Sequence, residues 1–151
     1  MSVAVERACV NCGRTWGGGR CCQFCAQVEG LPSGVRLSSA SKRLGALLLE
    51  TVLVLVTLGI GWLVWALIVF KNGQTPAKQL LGMRLVGVEE GVPSSWGRTF
   101  IREFIIKTGI NVLIGWAFIP YFWLLWDKDR QQLWDKISGT IVVDDPNRQL
   151  P

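Results

Sequence analysis

The stretch that decides the fold is LGALLLETVLVLVTLGIGWLVWALIVF, Leu44 to Phe70, in which Glu50 is the single ionisable residue. At about 1.5 Å of helical rise per residue it is long enough to cross a hydrocarbon core of about 30 Å with some tilt. A second stretch, TGINVLIGWAFIPYFWLLW from Thr108 to Trp126, carries no charge and reaches the minimum spanning length. Helices apolar on every face are rare in soluble domains, so both stretches are read as membrane segments.

Between them lies KNGQTPAKQLLGMRLVGVEEGVPSSWGRTFIREFIIK, residues 71–107. Met83 to Val88 reads as a short strand and Glu89 to Gly91 as a turn. From Trp96 the apolar positions Trp96, Phe100, Ile101, Phe104 and Ile105 recur at helical spacing, with Arg98, Arg102 and Lys107 on other faces. That predicts an amphipathic helix lying at the headgroups. After Trp126 come a short helical stretch and a β-like run, Thr140 to Val143, then a tail over 144–151. Trp62, Trp65, Trp123 and Trp126 sit where interfacial anchors belong. The expected fold class is an all-α integral membrane protein with two apolar segments (44–70 and 108–126) and an amphipathic segment (71–107) in one domain, 42–143.

The composition agrees. Half of the 151 residues are hydrophobic and 18% are charged, against about 25% in soluble domains. Histidine is absent, which excludes Ser-His-Asp chemistry and imidazole-ligated metals. No nucleophile–base pairing is visible, so no enzymatic activity is expected. The net charge of +5 forms no basic stripe with interleaved aromatics, which argues against nucleic acid. The first residues show no apolar run, so no cleavable signal peptide is expected.

All five cysteines fall between Cys9 and Cys25. Cys9-x2-Cys12 and Cys22-x2-Cys25 are two knuckles, each able to offer two thiolates from a tight turn, and together they complete a four-thiolate tetrahedral site. Gly13 and Gly17–Gly19 supply backbone freedom. A structural Zn²⁺ in a ribbon over residues 1–28 is expected, with 29–41 as a linker. Iron is the other metal that sulfur ligation suits, and a disulfide pair is the metal-free alternative. Cys21 is either spare or replaces Cys22. So small a module has almost no apolar core, so metal binding would supply its folding energy. Thiolate ligands place it, and the amino terminus, in the reducing cytoplasm.

From Ser41 onward the chain resembles the RDD family of small integral membrane proteins. The resemblance rests on Arg43 in SKRLGALLLE, on GQTPAKQLLGMRLV (Gly73 to Val86), on Arg102 and on RQQLWDKISGTIVV (Arg130 to Val143). It implies that Arg43, Glu50 and Asp135 hold the places of the family's arginine and two aspartates. It also marks the loop positions Gly73, Thr75, Pro76, Lys78, Gly82 and Arg84, with Arg102, Gly139 and Thr140. Glu50 keeps the carboxylate with one more methylene, and Ala77 replaces a second glycine of the loop. The loop lacks P-loop spacing. The family's connection with transport implies a transport component for an unknown ligand or cation, working as a homo-oligomer or with other membrane subunits.

An ionisable residue inside an apolar run, as Glu50 is, is a functional-site hypothesis by default. Its structural alternative is a pair with Arg102, Lys107 or another arginine that fixes helix packing. Asp135 is expected to cap local amides or to pair with Lys78 or Arg84. Three Lys or Arg residues flank every end of the two apolar segments, so charge does not assign sides. Two topologies follow. In one the segments cross the membrane; in the other each is a bent hairpin, turning at Gly59–Gly61 in the first and at Gly115 or Pro120 in the second. Pairing of the Met83–Val88 strand with Thr140–Val143 requires the hairpins, since strands on opposite leaflets cannot meet. Both topologies put the termini in the cytoplasm and the protein in the cell membrane. The competing function is a membrane-anchored adaptor whose ribbon recruits a cytoplasmic protein partner.

Overall fold

A computed structural model describes residues 7–16, 21–114, 119–127 and 130–150. Gly17–Gly19 and Gly115 lie outside the described residues. The chain starts as a two-stranded ribbon in which β1 (Arg7–Ala8) pairs antiparallel with β2 (Thr15–Trp16). In the first knuckle the Cys9 amide donates to Arg14 O at 2.9 Å and the Gly13 amide to Cys9 O at 2.8 Å. The turn needs φ = +68° at Gly13, which only glycine adopts freely. The second knuckle repeats the plan: the Cys22 amide donates to Gln27 O and the Ala26 amide to Cys22 O, both at 2.9 Å.

A second sheet joins distant parts of the chain. β3 (Arg36–Leu37), β4 (Met83–Gly87) and β5 (Thr140–Asp144) form an antiparallel sheet in the order β3-β5-β4, with Met83 opposite Asp144 and Gly87 opposite Thr140. The all-α expectation is therefore corrected to a mostly helical fold with some sheet. The physical reason is burial on both faces. On one side Val86, Ile141 and Val143 pack with Cys21, Leu31, Val35 and Leu37. On the other, Met83, Leu85 and Val142 pack against Ala46. A strand covered on both faces loses the in–out alternation that marks strands in sequence. Leu31, Val35 and Leu37 belong to the segment read as a linker, and here they form part of the sheet's core.

The first apolar stretch becomes two helices. α1 (Ala40–Val56) starts at Ser39, whose side chain accepts from the Lys42 amide at 3.3 Å. It ends in a tight reversal with φ = +50° at Leu58 and +75° at Gly59, and α2 (Ile60–Val69) follows. After a 3-10 turn (Phe70–Asn72), Gly73 reverses the chain with φ = +63°. A Cβ there would lie 2.7 Å from Leu85 O, so this loop position requires glycine. α3 (Pro76–Leu80) places its proline in the first turn, where no amide is missed.

α4 (Trp96–Phe100) runs through a π-helical stretch (Ile101–Ile106) into α5 (Lys107–Ile114). α6 (Ile119–Phe122), which contains Pro120, and a 3-10 turn (Trp123–Leu125) follow; then α7 (Leu133–Ser138) leads into β5. Among the described residues no helix is long and apolar enough to cross a membrane. β3 precedes the first apolar segment, β4 separates the two and β5 follows the second. Each apolar segment is thus flanked in the chain by strands of this one sheet.

Candidate functional site

Two clusters concentrate the chemistry. In the ribbon, Sγ atoms of Cys9, Cys12, Cys22 and Cys25 lie within 4.8 Å of one another. Cys9 and Cys25 approach to 3.4 Å, and Cys12 and Cys22 to 3.6 Å. Four sulfurs about 2.3 Å from one tetrahedral metal would be about 3.8 Å apart, so the spacing fits a metal ion. All five cysteines are free thiols. The Cys12 amide facing the Cys9 sulfur holds that thiol down at about 6. Cys12, despite the Arg14 amide beside it, is pushed up to about 11 by burial and by its thiol neighbours. Cys21 packs instead in the sheet core with Val28 and Val35, so the symmetric pairing is the one the fold makes.

The second cluster lies where α1, α3, the π-helical stretch and α7 meet. Asp135 is fully buried in the first turn of α7, and its Oδ2 accepts from the Gln132 amide at 3.1 Å, closing a capping box. Arg43 Nη1 donates to that same oxygen at 2.8 Å. Oδ1 accepts from Arg102 Nε at 3.0 Å and from Arg102 Nη2. Two donors on each oxygen use the carboxylate's full acceptor capacity. Burial alone would raise Asp135, yet Arg102 and Arg43 bring it below the ordinary carboxylate range. Arg43 also ties the clasp to the sheet, donating from Nη2 to Val142 O at 3.1 Å.

Glu103 continues the network. It pairs with Arg102 Nη1, with Lys78 Nζ at 2.9 Å and with Lys107 Nζ at 3.2 Å. Burial opposes its ionisation, but Lys107, Lys78 and Arg102 together hold it well below the usual range. A regular α-helix points consecutive residues about 100° apart. The wider π turn brings Arg102 and Glu103 both into the interior, a use of π turns common at functional sites.

Glu50 accepts from Trp62 Nε1 at 2.5 Å and from Thr75 Oγ1 at 2.6 Å. The expected pair with Arg102 or Lys107 is not the one it makes. Lys78 approaches Thr75 Oγ1 at 3.5 Å and links Glu50's neighbourhood to the clasp. Asp135 caps a local amide as expected, but its cations are Arg43 and Arg102. Lys78 goes to Glu103, and Arg84 approaches Asp145 at 3.7 Å and donates to Leu150 O at 2.8 Å. Gly82 and Gly139 reverse the chain with φ of +65° and +61°, Thr140 O accepts from Gln131 at 2.8 Å, and Pro76 starts α3. Trp62 and Trp65 turn their indole N–H groups inward, to Glu50 and to Gln79 Oε1 (2.8 Å).

Glu103 is the principal member of this network that belongs to no sequence motif. Its signal was Lys107 four positions on, the favoured orientation of an i,i+4 pair.

The RDD family's sequence model matches residues 39–139. No curated protein and no solved structure matches the chain.

Proposed function

The chain belongs to the RDD family, and on that premise we propose that its helical module is a membrane-dipping anchor that holds a Zn²⁺-bound ribbon at the cytoplasmic surface to recruit a protein partner. The observation that carries this reading is the β3-β5-β4 sheet, which gathers the polar segments before, between and after the apolar ones. A sheet cannot be split across a bilayer, so both apolar segments dip and return.

The hairpin tip is built for that environment, where every backbone group must find a partner. The Gly59 amide donates to Val54 O at 2.7 Å, and Thr57 Oγ1 donates to Leu53 O at 2.7 Å while accepting from the Trp62 amide at 2.9 Å. Exposed apolar side chains run along α1 from Leu48 to Val56 and on to Leu58 in the reversal, the last 86% exposed. Ten helical residues cover about 15 Å, one leaflet of an approximately 30 Å core. Val112, Leu113, Phe122 and Trp126 extend the exposed apolar surface on the second segment.

For the ribbon, the four-thiolate geometry is what supports zinc. Its knuckles offer Val10 and Phe24 to solvent, with the Arg14 guanidinium 5.0 Å from the Phe24 ring centroid. Exposed apolar tips on a metal-braced turn are suited to a protein partner. The transport reading would route a ligand past Arg43, Glu50 and Asp135. Those groups are engaged in the contacts above, so the anchor reading accounts for more of the geometry.

The test replaces Cys9 and Cys12 with Ser in the full chain. Membrane association is expected to persist while co-purifying protein is lost. Unchanged partner recovery would count against the adaptor reading. A pH-dependent ion flux in proteoliposomes, abolished by Glu50→Gln, would restore transport.

A further inference from the structure

The charges of this network, buried except for lysines at its rim (side-chain exposure 12% for Lys78 and 20% for Lys107), do not cancel. Arg43, Lys78, Arg102 and Lys107 face Glu50, Glu103 and Asp135, which leaves one formal positive charge in surplus. A surplus charge in a low-dielectric interior is expensive unless something compensates it. Beside it lies a cavity of about 30 Å³ lined by Arg43, Glu50, Lys78, Arg102, Lys107 and Gln132, among others. Arg43 is 4% exposed, and its Nε has no hydrogen-bond partner among the described residues.

The geometry points to a monovalent-anion site of chloride size in this cavity, bounded by Arg43, Lys78, Arg102 and Lys107. The cavity is roomy enough for a water-sized species, which a halide matches in size. A halide neutralises the surplus and takes up the spare Nε–H, whereas water satisfies the donor and leaves the charge. The third solution is a neutral lysine. Burial pulls Lys78 downward, so that solution is the competitor to be tested. The carboxylate of Glu50 is turned to Trp62 and Thr75, whose donors temper its repulsion of an anion. This inference goes beyond the anchor reading and does not depend on the ribbon.

The experiment uses the full chain in detergent, with chloride as the probe. The linewidth of ³⁵Cl resonance is expected to show a saturable protein-dependent broadening that bromide competes away. Exchanging gluconate for chloride at constant ionic strength is expected to raise the unfolding midpoint, because a ligand of the folded state stabilises it. Lys107→Met keeps the aliphatic stem and removes the surplus charge, so both effects should be lost. Broadening that is absent or does not saturate on the folded, unmodified chain would overturn the site in favour of water or a neutral lysine. So would broadening that survives in a folded Lys107→Met protein. If that variant does not fold, bromide competition on the unmodified chain decides alone.

Discussion

In the ribbon the buried cluster consists of Cys9 and Cys22 with Cys25 against them, whereas around Asp135 the buried cluster consists of ion pairs drawn from four separate elements. The ribbon's sulfurs pair with one another, whereas the Asp135 carboxylate of the clasp is saturated by donors from other elements. The two regions therefore differ in what their folding depends on. Without a metal, the ribbon is four thiols and two turns with no apolar core of its own. The helical module closes on itself through the sheet, through Ala46 against Met83, Leu85 and Val142, and through the saturated carboxylate.

The sharpest way to break that contrast is to remove the metal. Structural zinc in small ribbons is worth about 10–16 kcal/mol. Chelation, or Cys22→Ser, is expected to abolish protection of residues 7–16 and 22–25 in hydrogen exchange while leaving α1, α7 and β5 protected. Loss of protection throughout would mean that the two regions fold as one.

Next in size is Asp135→Asn, which leaves two buried guanidinium groups without their shared carboxylate. Breaking a buried pair costs about 3–5 kcal/mol, read as a lowered denaturation midpoint. A related effect follows from the depressed titration of Asp135. A carboxylate lowered in the folded state stabilises above its unfolded value, about 3.9, and loses that contribution as pH falls further. The unfolding midpoint of the helical module is therefore expected to hold steady from pH 7 to about 5 and to drop below about 4.

The smallest expected effect is that of Glu50→Gln. An amide oxygen still accepts from Trp62 Nε1 or Thr75 Oγ1, but the other donor loses its acceptor and the network loses one negative charge, so the cost should be about 1–3 kcal/mol, below that of Asp135→Asn. If that change in the denaturation midpoint matched that of Asp135→Asn, the contrast between a saturated clasp and a separately partnered Glu50 would be wrong.

What could be read in the sequence was what is local. Cys9-x2-Cys12 and Cys22-x2-Cys25 announce their geometry through spacing alone, whereas Asp135, expected to cap local amides from its place ahead of Ser138–Thr140, caps the Gln132 amide before it instead. The reversal at Thr57–Gly59 was visible in the glycines at Gly59–Gly61, two residues from where it falls. The sheet was not legible as a sheet, because β3, β4 and β5 are short, far apart in the chain and without alternation. Glu103 was hidden because its inward position depends on a π turn, and an α-helical count assigns Arg102 and Glu103 to different faces. The partner of Glu50 was missed for a similar reason. Charge pointed to Arg102 or Lys107, while the reversal at Gly59 brought in Trp62 and the turn at Gly73 set up Thr75.

On the proposed anchor reading, the sheet holds every polar segment on one side of the membrane. Glu89, between the two apolar segments, and Gln149, after the second, are positions for single introduced cysteines, labelled with a membrane-impermeant maleimide in intact and lysed cells. The dipping fold predicts that Glu89→Cys and Gln149→Cys behave alike: protected in intact cells, reactive after lysis, each above the level of the unmodified chain. Labelling of Glu89→Cys in intact cells while Gln149→Cys stays protected would contradict it, because β4 and β5 would then lie on opposite sides of the bilayer.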